Sequence, residues 1–425
     1  MSFKFKPLLP LALAGALLLS GCGAQQTDTA TRSDTVTQSD TVTPSDTATS
    51  NDTATNGDTA TQRDTPTSNN TATSGDAVTI TLSGTTALAD SDAVRVNGST
   101  VTITAAGTYI LSGALDGSVI VDAAKEDEVQ LVLDGVTIHA DSFASLYVVQ
   151  ADKVFVTLAD GTVNVLSNGG RFTQIDDNDV DAVIFSKDDL SFNGTGTLRI
   201  SSPAGHGIVG KDDVTFTQGV YEIEAADHAI RVKDNLSIAD GSFTLQAGED
   251  GLHAENSDDD TLGNIYLAGG DFRITVSDDA IHAEALLQID GGTFEITAAE
   301  GLEATYIQIN GGQIRISASD DGINAARKSS AYTPTLEVND GELTIVMGAG
   351  DTDGVDSNGN LIINGGTIDV TAQSAFDYDG SAQYNGGTII INGQTVNAIP
   401  NQMMGGGGMM GGGGGMMGGR NGWRR

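Results

Sequence analysis

The sequence predicts an all-β protein that folds as a single-stranded parallel β-helix, a β-solenoid of about a dozen coils. Three observations predict this class: a repeated phrase of turn and strand, alternation of apolar and polar residues, and abundant glycine with little proline. Glycine accounts for 55 of the 425 residues and proline for only 7. Sharp corners favour glycine, whereas proline interrupts the hydrogen bonds between strands, so this balance suits many short coils.

The repeat is clearest where Gly269 to His282, GGDFRITVSDDAIH, returns as Gly311 to Asn324, GGQIRISASDDGIN. Each copy joins a turn, a strand and an acidic corner. One glycine precedes each strand, and successive marker glycines are 20 to 29 residues apart. A period of this length is typical of a solenoid. The marker glycines are Gly196, Gly219, Gly241, Gly270, Gly292, Gly312, Gly341, Gly366 and Gly387.

Apolar and polar residues alternate in the strand segments. Phe272 to Val276 and Ile314 to Ser317 are also rich in β-branched residues, which predicts strands with one buried face and one solvated face. Helical spacing is missing. A coil of about 20 to 25 residues holds roughly three short strands with their turns, so each strand pairs with the corresponding strand of the next coil.

Composition divides the chain into four parts. Residues 1–21 predict a lipoprotein signal peptide, because basic residues precede an apolar run that ends in Leu19-Ser20-Gly21-Cys22. Residues 22–76 repeat Asp-Thr-Ala-Thr and are too polar to form a core, which predicts a disordered tether. The β-helix is expected over residues 77–399, and a disordered tail rich in glycine and methionine over residues 400–425.

The end of the leader, Leu19 to Cys22, resembles the bacterial lipobox, in which the cysteine is lipidated. Cys22 is the only cysteine, so it has no disulfide partner within the molecule. We therefore expect a secreted bacterial lipoprotein, anchored to a membrane through Cys22 and facing the outside of the cell. No other stretch is apolar enough to span a bilayer. The protein is expected to be a monomer.

The tail alternates paired methionines with runs of glycine and ends in Trp423-Arg424-Arg425. Two interpretations are open. The composition favours a flexible low-complexity segment, and the alternative is a soft-metal site that binds Cu(I) through methionine sulfur.

The net charge excludes one class of partner. The chain has 20 Lys and Arg against 57 Asp and Glu, a net charge of −37. A protein that binds phosphate backbones needs basic patches, so nucleic acid is excluded as a partner.

Acidic residues recur at one corner of successive coils. When the copies are aligned on the apolar residue of that corner, such as Ile281, Leu302 and Ile323, oxygen-bearing side chains fill the columns beside it. Like charges stacked about one strand spacing apart repel, and a hard cation with oxygen ligands relieves the repulsion. We therefore predict Ca²⁺ between coils, one ion among the first three and another among the last seven of the following residues. The predicted calcium ligands are Asp250, Asp278, Asp279, Glu300, Glu303, Asp320, Asp321, Asn324, Asp353 and Asp356.

A plainer interpretation of the acidic corners is also open. Asp-Gly is a common turn dipeptide, and corner Asp and Asn side chains often bond their own backbone. Salt and water screen an exposed ladder of carboxylates. The two interpretations differ in the effect that a chelator has on stability.

Four of the five histidines lie at or beside the same corner in successive coils. No serine or cysteine nucleophile pattern accompanies them, so a catalytic role is not favoured. We expect them to be structural or to neighbour the metal. These histidines are His206, His228, His253 and His282.

Several motifs resemble those of a known family. They are Val101 to Gly113 (VTITAAGTYILSG), Val129 to Val136 (VQLVLDGV) and Asp181 to Leu198 (DAVIFSKDDLSFNGTGTL), the last followed by Gly207 to Val214 (GIVGKDDV). They are similar to motifs of the bacterial carbohydrate-binding β-helix proteins, a family of cellulose and pectin binders, and the similarity covers about Val78 to Val396. The resemblance implies a right-handed parallel β-helix with Ca²⁺ between coils, related to pectate-lyase-like proteins, that binds plant-type polysaccharides without cleaving them.

Three functions are compatible with these observations. The favoured one is a non-catalytic polysaccharide-binding protein that prefers acidic, pectin-like polymers, with Lys187, Lys211, Arg231 and Lys233 assisting. A pectate-lyase-like enzyme would need a Lys or Arg base beside Ca²⁺, and a structural adhesin or spacer would need no sugar ligand. Cellulose fits less well than pectin, because a row of aromatic faces is missing and the only tryptophan is Trp423.

Overall fold

A computed structural model describes residues 77–350 and 352–401 of the chain. The regular elements in this part are 36 β-strands, so the predicted all-β class is confirmed. The described residues contain no helix able to cross a membrane. The predicted signal peptide, the tether with Cys22 and nearly all of the predicted tail lie outside the described residues.

The strands are short, and most span three to seven residues. The first twelve are β1 (Val78–Gly84), β2 (Thr86–Ala89), β3 (Val94–Asn97), β4 (Thr100–Ile103), β5 (Gly107–Asp116), β6 (Ser118–Asp122), β7 (Glu128–Ala140), β8 (Leu146–Gln150), β9 (Lys153–Leu158), β10 (Val163–Asn168), β11 (Ala182–Ser186) and β12 (Asp189–Gly194). The next twelve are β13 (Thr197–Ser202), β14 (His206–Gly210), β15 (Val214–Phe216), β16 (Val220–Ala225), β17 (Ile230–Val232), β18 (Asn235–Ile238), β19 (Ser242–Ala247), β20 (Leu252–Ala254), β21 (Asn264–Leu267), β22 (Asp271–Val276), β23 (Asp279–Ile289) and β24 (Thr293–Ala298). The last twelve are β25 (Glu300–Ile309), β26 (Gln313–Ala318), β27 (Ile323–Ala325), β28 (Thr335–Val338), β29 (Glu342–Met347), β30 (Asp353–Ser357), β31 (Asn360–Ile363), β32 (Thr367–Thr371), β33 (Ser374–Tyr378), β34 (Ala382–Tyr384), β35 (Thr388–Ile391) and β36 (Gln394–Val396).

The strands pair in parallel with their counterparts in the next coil, which forms three columns. Column A contains β10, β13, β16, β19, β22, β24, β26, β29, β32 and β35. Column B contains β9, β12, β15, β18, β21, the second halves of β23 and β25, β28, β31 and β34. Column C contains β8, β11, β14, β17, β20, the first halves of β23 and β25, β27, β30 and β33. Pairing of this kind is consistent with a β-solenoid.

Antiparallel hairpins occur only near the two ends of the described chain. The strand pairs β1–β2 and β3–β4 are antiparallel at the beginning, and β35–β36 is antiparallel at the end. A hairpin that folds back on the last coil supplies hydrogen-bond partners to an otherwise open strand.

The core is built from apolar side chains stacked coil on coil, and in one stretch the stacked residues are identical. Phe243, Phe272 and Phe294 stand in register on column A, and their ring centroids are 4.9 and 4.6 Å apart with nearly parallel planes. Each ring is almost completely buried. Alternation of such apolar residues with exposed ones gives column A its single buried face.

The marker glycines explain the period of the sequence. Gly270, Gly292 and Gly312 have positive φ angles of 108°, 104° and 94°. A Cβ atom added to Gly292 would lie only 2.8 Å from the carbonyl oxygen of Gly270, one coil away. Glycine is therefore required at this corner for both its backbone conformation and the close approach of neighbouring coils.

Candidate functional site

Column C carries two rows of mostly polar side chains. The first row lies where the strands begin and the second lies three residues later, and the strand register matches the columns read from the sequence. The first row contains His206, His228, Asp250, Asp279, Glu300, Asp321, Asp353 and Ser374. The second row contains Val209, Arg231, His253, His282, Glu303, Asn324, Asp356 and Asp377.

The four corner histidines form a continuous stack that crosses from the first row to the second. Ring centroids are 5.1 Å apart between His206 and His228, 4.4 Å between His228 and His253, and 4.8 Å between His253 and His282. Despite this common stacking, the hydrogen bonds of the histidines divide them into two pairs.

The backbone orients the rings of His206 and His228. The Nδ1 atom of His206 accepts the backbone N–H of His228, and Nδ1 of His228 accepts that of Asp250, both at 3.1 Å. The ring proton of each therefore lies on Nε2, which in His228 is 3.1 Å from a Glu249 oxygen. Burial and the neighbouring His253 lower the pKa of His228 to about 3. A metal at Nε2 would require the ring proton on Nδ1, where it would meet the backbone donor, so this hydrogen bonding disfavours metal binding although both rings lie in one set of possible ligand atoms with Glu249.

His253 and His282 face carboxylates instead. The Nδ1 atom of His253 is 2.6 Å from Asp250 Oδ2, and its Nε2 atom is 3.3 Å from Glu255 Oε2. The Nδ1 atom of His282 lies between two carboxylates, 2.9 Å from Asp279 Oδ2 and 2.8 Å from Glu303 Oε2. The contacts of His282 join two consecutive coils, and its stacking on His253 adds the preceding coil to the cluster.

The cluster contains carboxylates that are buried close to one another. Asp250, Asp279 and Glu303 are only 3%, 6% and 5% exposed. Burial, assisted by the charges of Asp250 and Glu303, raises the pKa of Asp279 to about 7. Burial and the charge of Glu303 raise the pKa of Glu300 to about 8. Near neutral pH the cluster therefore holds protons that ordinary carboxyl groups would release.

Two cations compensate part of the cluster. Burial alone would lower the pKa of His282, but its hydrogen bonds to Asp279 and Glu303 raise it to about 10. Lys328 Nζ is 2.8 Å from Glu303 Oε1. Although burial opposes ionisation of Glu303, hydrogen bonds from His282 and Lys328 lower its pKa to about 2.

Lys328 belongs to a loop, residues 326–334, that is fixed by several contacts. The backbone N–H groups of Lys328 and Ser329 donate to Thr305 Oγ1 at 2.9 and 2.8 Å. Ser329 Oγ donates to the carbonyl oxygen of Asp260, at 2.6 Å, on the loop that follows β20. Two loops that are far apart in the sequence therefore meet beside the cluster and hold the lysine in place.

The acidic row continues through the next coils with oxygen-bearing side chains, several of which form no ion pair within the described part of the chain. Among the described residues, Asp321, Asp356 and Asp377 take part in none of the salt bridges found, and burial with neighbouring carboxylates raises the pKa of Asp321 and of Asp356 to about 6. Asn324 Nδ2 donates to Glu300 and Glu303 at 3.0 and 3.2 Å. The buried Oδ1 atoms of Asn324 and Asp377 have no hydrogen-bond partner within the described part of the chain.

The predicted calcium ligands are thus separated into groups. Asp250 and Asp279 lie with His282, and Asp279 lies with Glu300 and Glu303, in sets whose ligand atoms are all within 4.8 Å of one another. Asp321, Asn324, Asp353 and Asp356 follow in register in the next two coils but form no such set of acidic or histidine ligands among the described residues. Asp278 and Asp320 are exposed and belong to no such set in this part of the chain.

Sequence reasoning missed some members of the site. Lys328 carries no periodic signal, because it lies in an irregular loop after β27. Asp377 was recognisable in principle, since Ser374-Ala375-Phe376-Asp377 continues the corner pattern by one coil. A separate acidic group, Asp212, Asp213 and Asp234, lies on the turns after β14 and β17 and was also missed.

The basic residues lie further along the same column. Lys211, Arg231 and Lys233 line one open groove of about 260 Å³, together with Glu255 and Ser257. Burial and the adjacent Arg231 lower the pKa of Lys211. Three of the four basic residues named from the sequence are therefore brought together.

Lysines occupy the same position in consecutive coils along this groove. The backbone N–H of Lys211 donates to Ser186 in the preceding coil at 2.8 Å, and that of Lys233 donates to Gly210 at 2.8 Å. Lys187 continues the row one coil earlier and is exposed, but it does not line the groove. The backbone positions of the three lysines are therefore separated by about one strand spacing, roughly 4.8 Å from one coil to the next.

Comparison with known proteins identifies the family. The model of the family described as carbohydrate-binding domain-containing protein matches residues 97–354 and 301–398, well over half of the chain. The chain belongs to this family.

Two related proteins agree with the assignment. A carbohydrate-binding domain-containing protein of Acetivibrio thermocellus is 38% identical over 137 residues, which are 32% of this chain and 48% of the relative, so the match spans about half of that relative's length. A solved polysaccharide lyase-like protein from C. thermocellum, a gadolinium derivative, aligns with a TM-score of 0.50 at 30% identity. The alignment covers 56% of this chain and 94% of the solved chain.

Proposed function

We propose that this chain is a non-catalytic polysaccharide-binding protein that prefers acidic, pectin-like polymers. It acts as a monomer, anchored through lipidated Cys22 to the outward-facing membrane surface of a bacterium. The remaining features predicted from the sequence, the right-handed winding and about a dozen coils, belong to the same proposal. Family membership supports the polysaccharide as the class of ligand.

The groove of Lys211, Arg231 and Lys233 carries the preference for acidic sugars. It is a cluster of three cationic side chains on a molecule with a net charge of −37, and the one ion pair among them, Lys233 with Asp258 at 2.7 Å, is exposed and therefore weak. Carboxylates form charge-assisted hydrogen bonds with Lys and Arg that neutral sugars do not form. A linear polyuronate lying along the groove would present its carboxylates to successive coils. Cellulose is less favoured, because binding to flat crystalline surfaces relies on aromatic faces and the single tryptophan is Trp423.

Calcium is the second element of the proposal. The donor set of Asp321, Asn324, Asp356 and Asp377 fits it best, because these are oxygen ligands and two of them have an oxygen without a hydrogen-bond partner among the described residues. Burial and nearby carboxylates also raise the pKa of Asp356. Ca²⁺ bound there would neutralise the row. The solved relative carries gadolinium, which like calcium is a hard ion that prefers oxygen.

The test of the polysaccharide site compares two variants with the wild type. Removing both lysine charges in Lys211→Gln/Lys233→Gln should weaken binding to polygalacturonate about tenfold or more, since two charge-assisted contacts are lost. Lys125→Gln removes an exposed lysine outside the groove and should leave the affinity unchanged. Equal affinities for all three proteins would contradict the proposed site.

One observation favours a second candidate function. The lowered pKa of Lys211 and its neighbour Arg231 suit a base that removes a proton from a uronate, and the solved relative is described as polysaccharide lyase-like. A lyase would release an unsaturated product from polygalacturonate that absorbs ultraviolet light. The proposed function predicts no rise in absorbance, and a rise that Lys211→Gln abolishes would establish the lyase.

A further inference from the structure

We propose that the cluster of Asp279, His282 and Glu303 binds a first-row divalent cation, with Zn²⁺ as its best ligand, at a site separate from the calcium row. The proposal goes beyond polysaccharide binding and does not depend on it. It rests on the imidazole in the donor set, on the burial of the carboxylates and on the distances between the ligand atoms.

The donor set distinguishes the cluster from a calcium site. Calcium takes oxygen ligands, whereas an imidazole together with carboxylates suits zinc and its neighbours. Zn²⁺ would bind at His282 Nδ1 in place of the ring proton that this atom shares with Asp279 and Glu303, whereas Ca²⁺ gains little from a nitrogen donor.

The ligand atoms already stand at suitable distances. His282 Nδ1 is 2.9 Å from Asp279 Oδ2 and 2.8 Å from Glu303 Oε2. With metal–ligand bonds of about 2.1 Å, atoms this far apart subtend about 85° at the ion, so a tetrahedral Zn²⁺ site requires each carboxylate oxygen to move about 0.5 Å further from Nδ1. The shared N–H proton of His282 occupies the place that the ion would take.

Burial supplies the reason to bind a cation there. Asp250, Asp279 and Glu303 are each nearly inaccessible, and Asp250 joins Asp279 and His282 in a set of atoms within 4.8 Å. Buried carboxylates in contact are costly unless cations compensate them. His282 and Lys328 compensate Glu303, whereas the ion-pair partners of the buried Asp250 and Asp279 among the described residues are histidines alone.

Two neighbouring features make the site preorganised. Asp250 Oδ1 accepts the backbone N–H of Asp279 at 2.9 Å, which fixes the carboxylate of the preceding coil. On the other side, Lys328 is held against Glu303 by the loop contacts to Thr305 and Asp260. Lys328 therefore acts as a resident counter-ion that competes with the metal for Glu303.

The experiment follows the thermal unfolding of the chain after treatment with EDTA, with Zn²⁺ and Ca²⁺ added separately. Zn²⁺ should raise the midpoint of the wild type and of the control His139→Gln, whose histidine bonds Ser167 away from the cluster. His282→Gln should bind Zn²⁺ about tenfold more weakly or worse, and so show a clearly smaller rise of the midpoint at the same zinc concentration, while it retains its response to Ca²⁺. No zinc response in the wild type, or an undiminished response in His282→Gln, would overturn the proposal.

Two further measurements keep the proposal testable if His282→Gln fails to fold. Zinc X-ray absorption of the wild type should show imidazole nitrogen together with carboxylate oxygen at about 2.0–2.2 Å, and oxygen ligands alone would refute the site. Lys328→Met removes the competing ammonium group and should tighten Zn²⁺ binding about tenfold. Unchanged or weaker binding in Lys328→Met would refute the placement at Glu303. Polygalacturonate binding is measured separately, so failure of the zinc site and failure of the polysaccharide site are distinguishable.

Discussion

Two stretches of column C share a backbone register but differ in charge. The basic stretch has Arg231 in the second row with Lys211 and Lys233 beside it, whereas the acidic stretch has Glu303 and Asp356 in that row. Strand pairing continues through both without a change of direction. The backbone of the coils therefore determines where the side chains are placed, whereas the residue that each coil carries determines whether the surface there is basic or acidic.

A second difference lies within the acidic stretch. Around Glu303 the negative charges are opposed by His282 and Lys328, but around Asp321 and Asp356 the described residues offer no such ion pair. We expect the first part to be folded and compensated without calcium and the second to depend on an added cation.

The largest expected effect is the stabilisation by Ca²⁺ of the coils that carry Asp321 and Asp356. At a concentration one hundred times its dissociation constant, Ca²⁺ should raise the free energy of unfolding of EDTA-treated protein by about 2.7 kcal/mol. Asp321→Asn/Asp356→Asn should lose this gain, whereas Asp271→Asn, an exposed site on column A, should keep it. Denaturant unfolding with and without Ca²⁺ measures the difference. A gain of equal size in the double variant would place calcium elsewhere.

An intermediate effect on the free energy of unfolding is expected when pH changes the ionisation of Glu300, which lies in the cluster around Glu303. The pKa of Glu300 is raised to about 8 from an ordinary value of 4.5, so the folded state holds a proton that the unfolded state has released. Its contribution therefore makes EDTA-treated protein less stable as pH rises from about 4.5 to about 8. Glu300→Gln keeps a neutral group at all pH values. It should stabilise the protein by about 1–2 kcal/mol at pH 8, after discounting for solvent screening, and by nothing at pH 4.

The control for this pH effect is Glu342→Gln on β29, an exposed glutamate. Its unfolding free energy should follow the wild type at both pH values. If Glu300→Gln and Glu342→Gln showed the same pH profile, a raised pKa at Glu300 would be wrong.

The smallest effect is expected at the edge of the basic stretch. Lys187 is exposed and lies one coil before Lys211, outside the groove. Lys187→Gln should weaken polygalacturonate binding by about 0.5–1 kcal/mol, since an exposed charge pair contributes little. A loss as large as that in Lys211→Gln/Lys233→Gln would extend the binding surface beyond the groove.

Much of the fold was predictable because its signals are local and repeated. The marker glycines, for example Gly292, mark corners that no other residue fits, and alternating residues such as Phe294 and Ile296 mark the strands. Because every coil repeats the same pattern, aligning the copies in the sequence predicted the register of column C. The same alignment predicted that His282 lies next to Glu303 of the following coil.

The site was less predictable than the fold, because its chemistry depends on groups that break the repeat. The loop that carries Lys328 has no counterpart in other coils, and its contact with Glu303 depends on a second loop that ends at Gly263. Equally, the sequence places His206 and His282 in one ladder, but only their hydrogen bonds show that the first is held by the backbone and the second by carboxylates.

The affinity of the wild-type chain for polygalacturonate in calcium-free buffer tests the central claim most directly. Calorimetric titration should show saturable binding at low salt, weakened about tenfold or more at high salt because the contacts are ionic and exposed. A neutral glucan of similar length should give no measurable binding. Absence of binding to polygalacturonate at low salt, or equal affinity for the neutral glucan, would contradict the account.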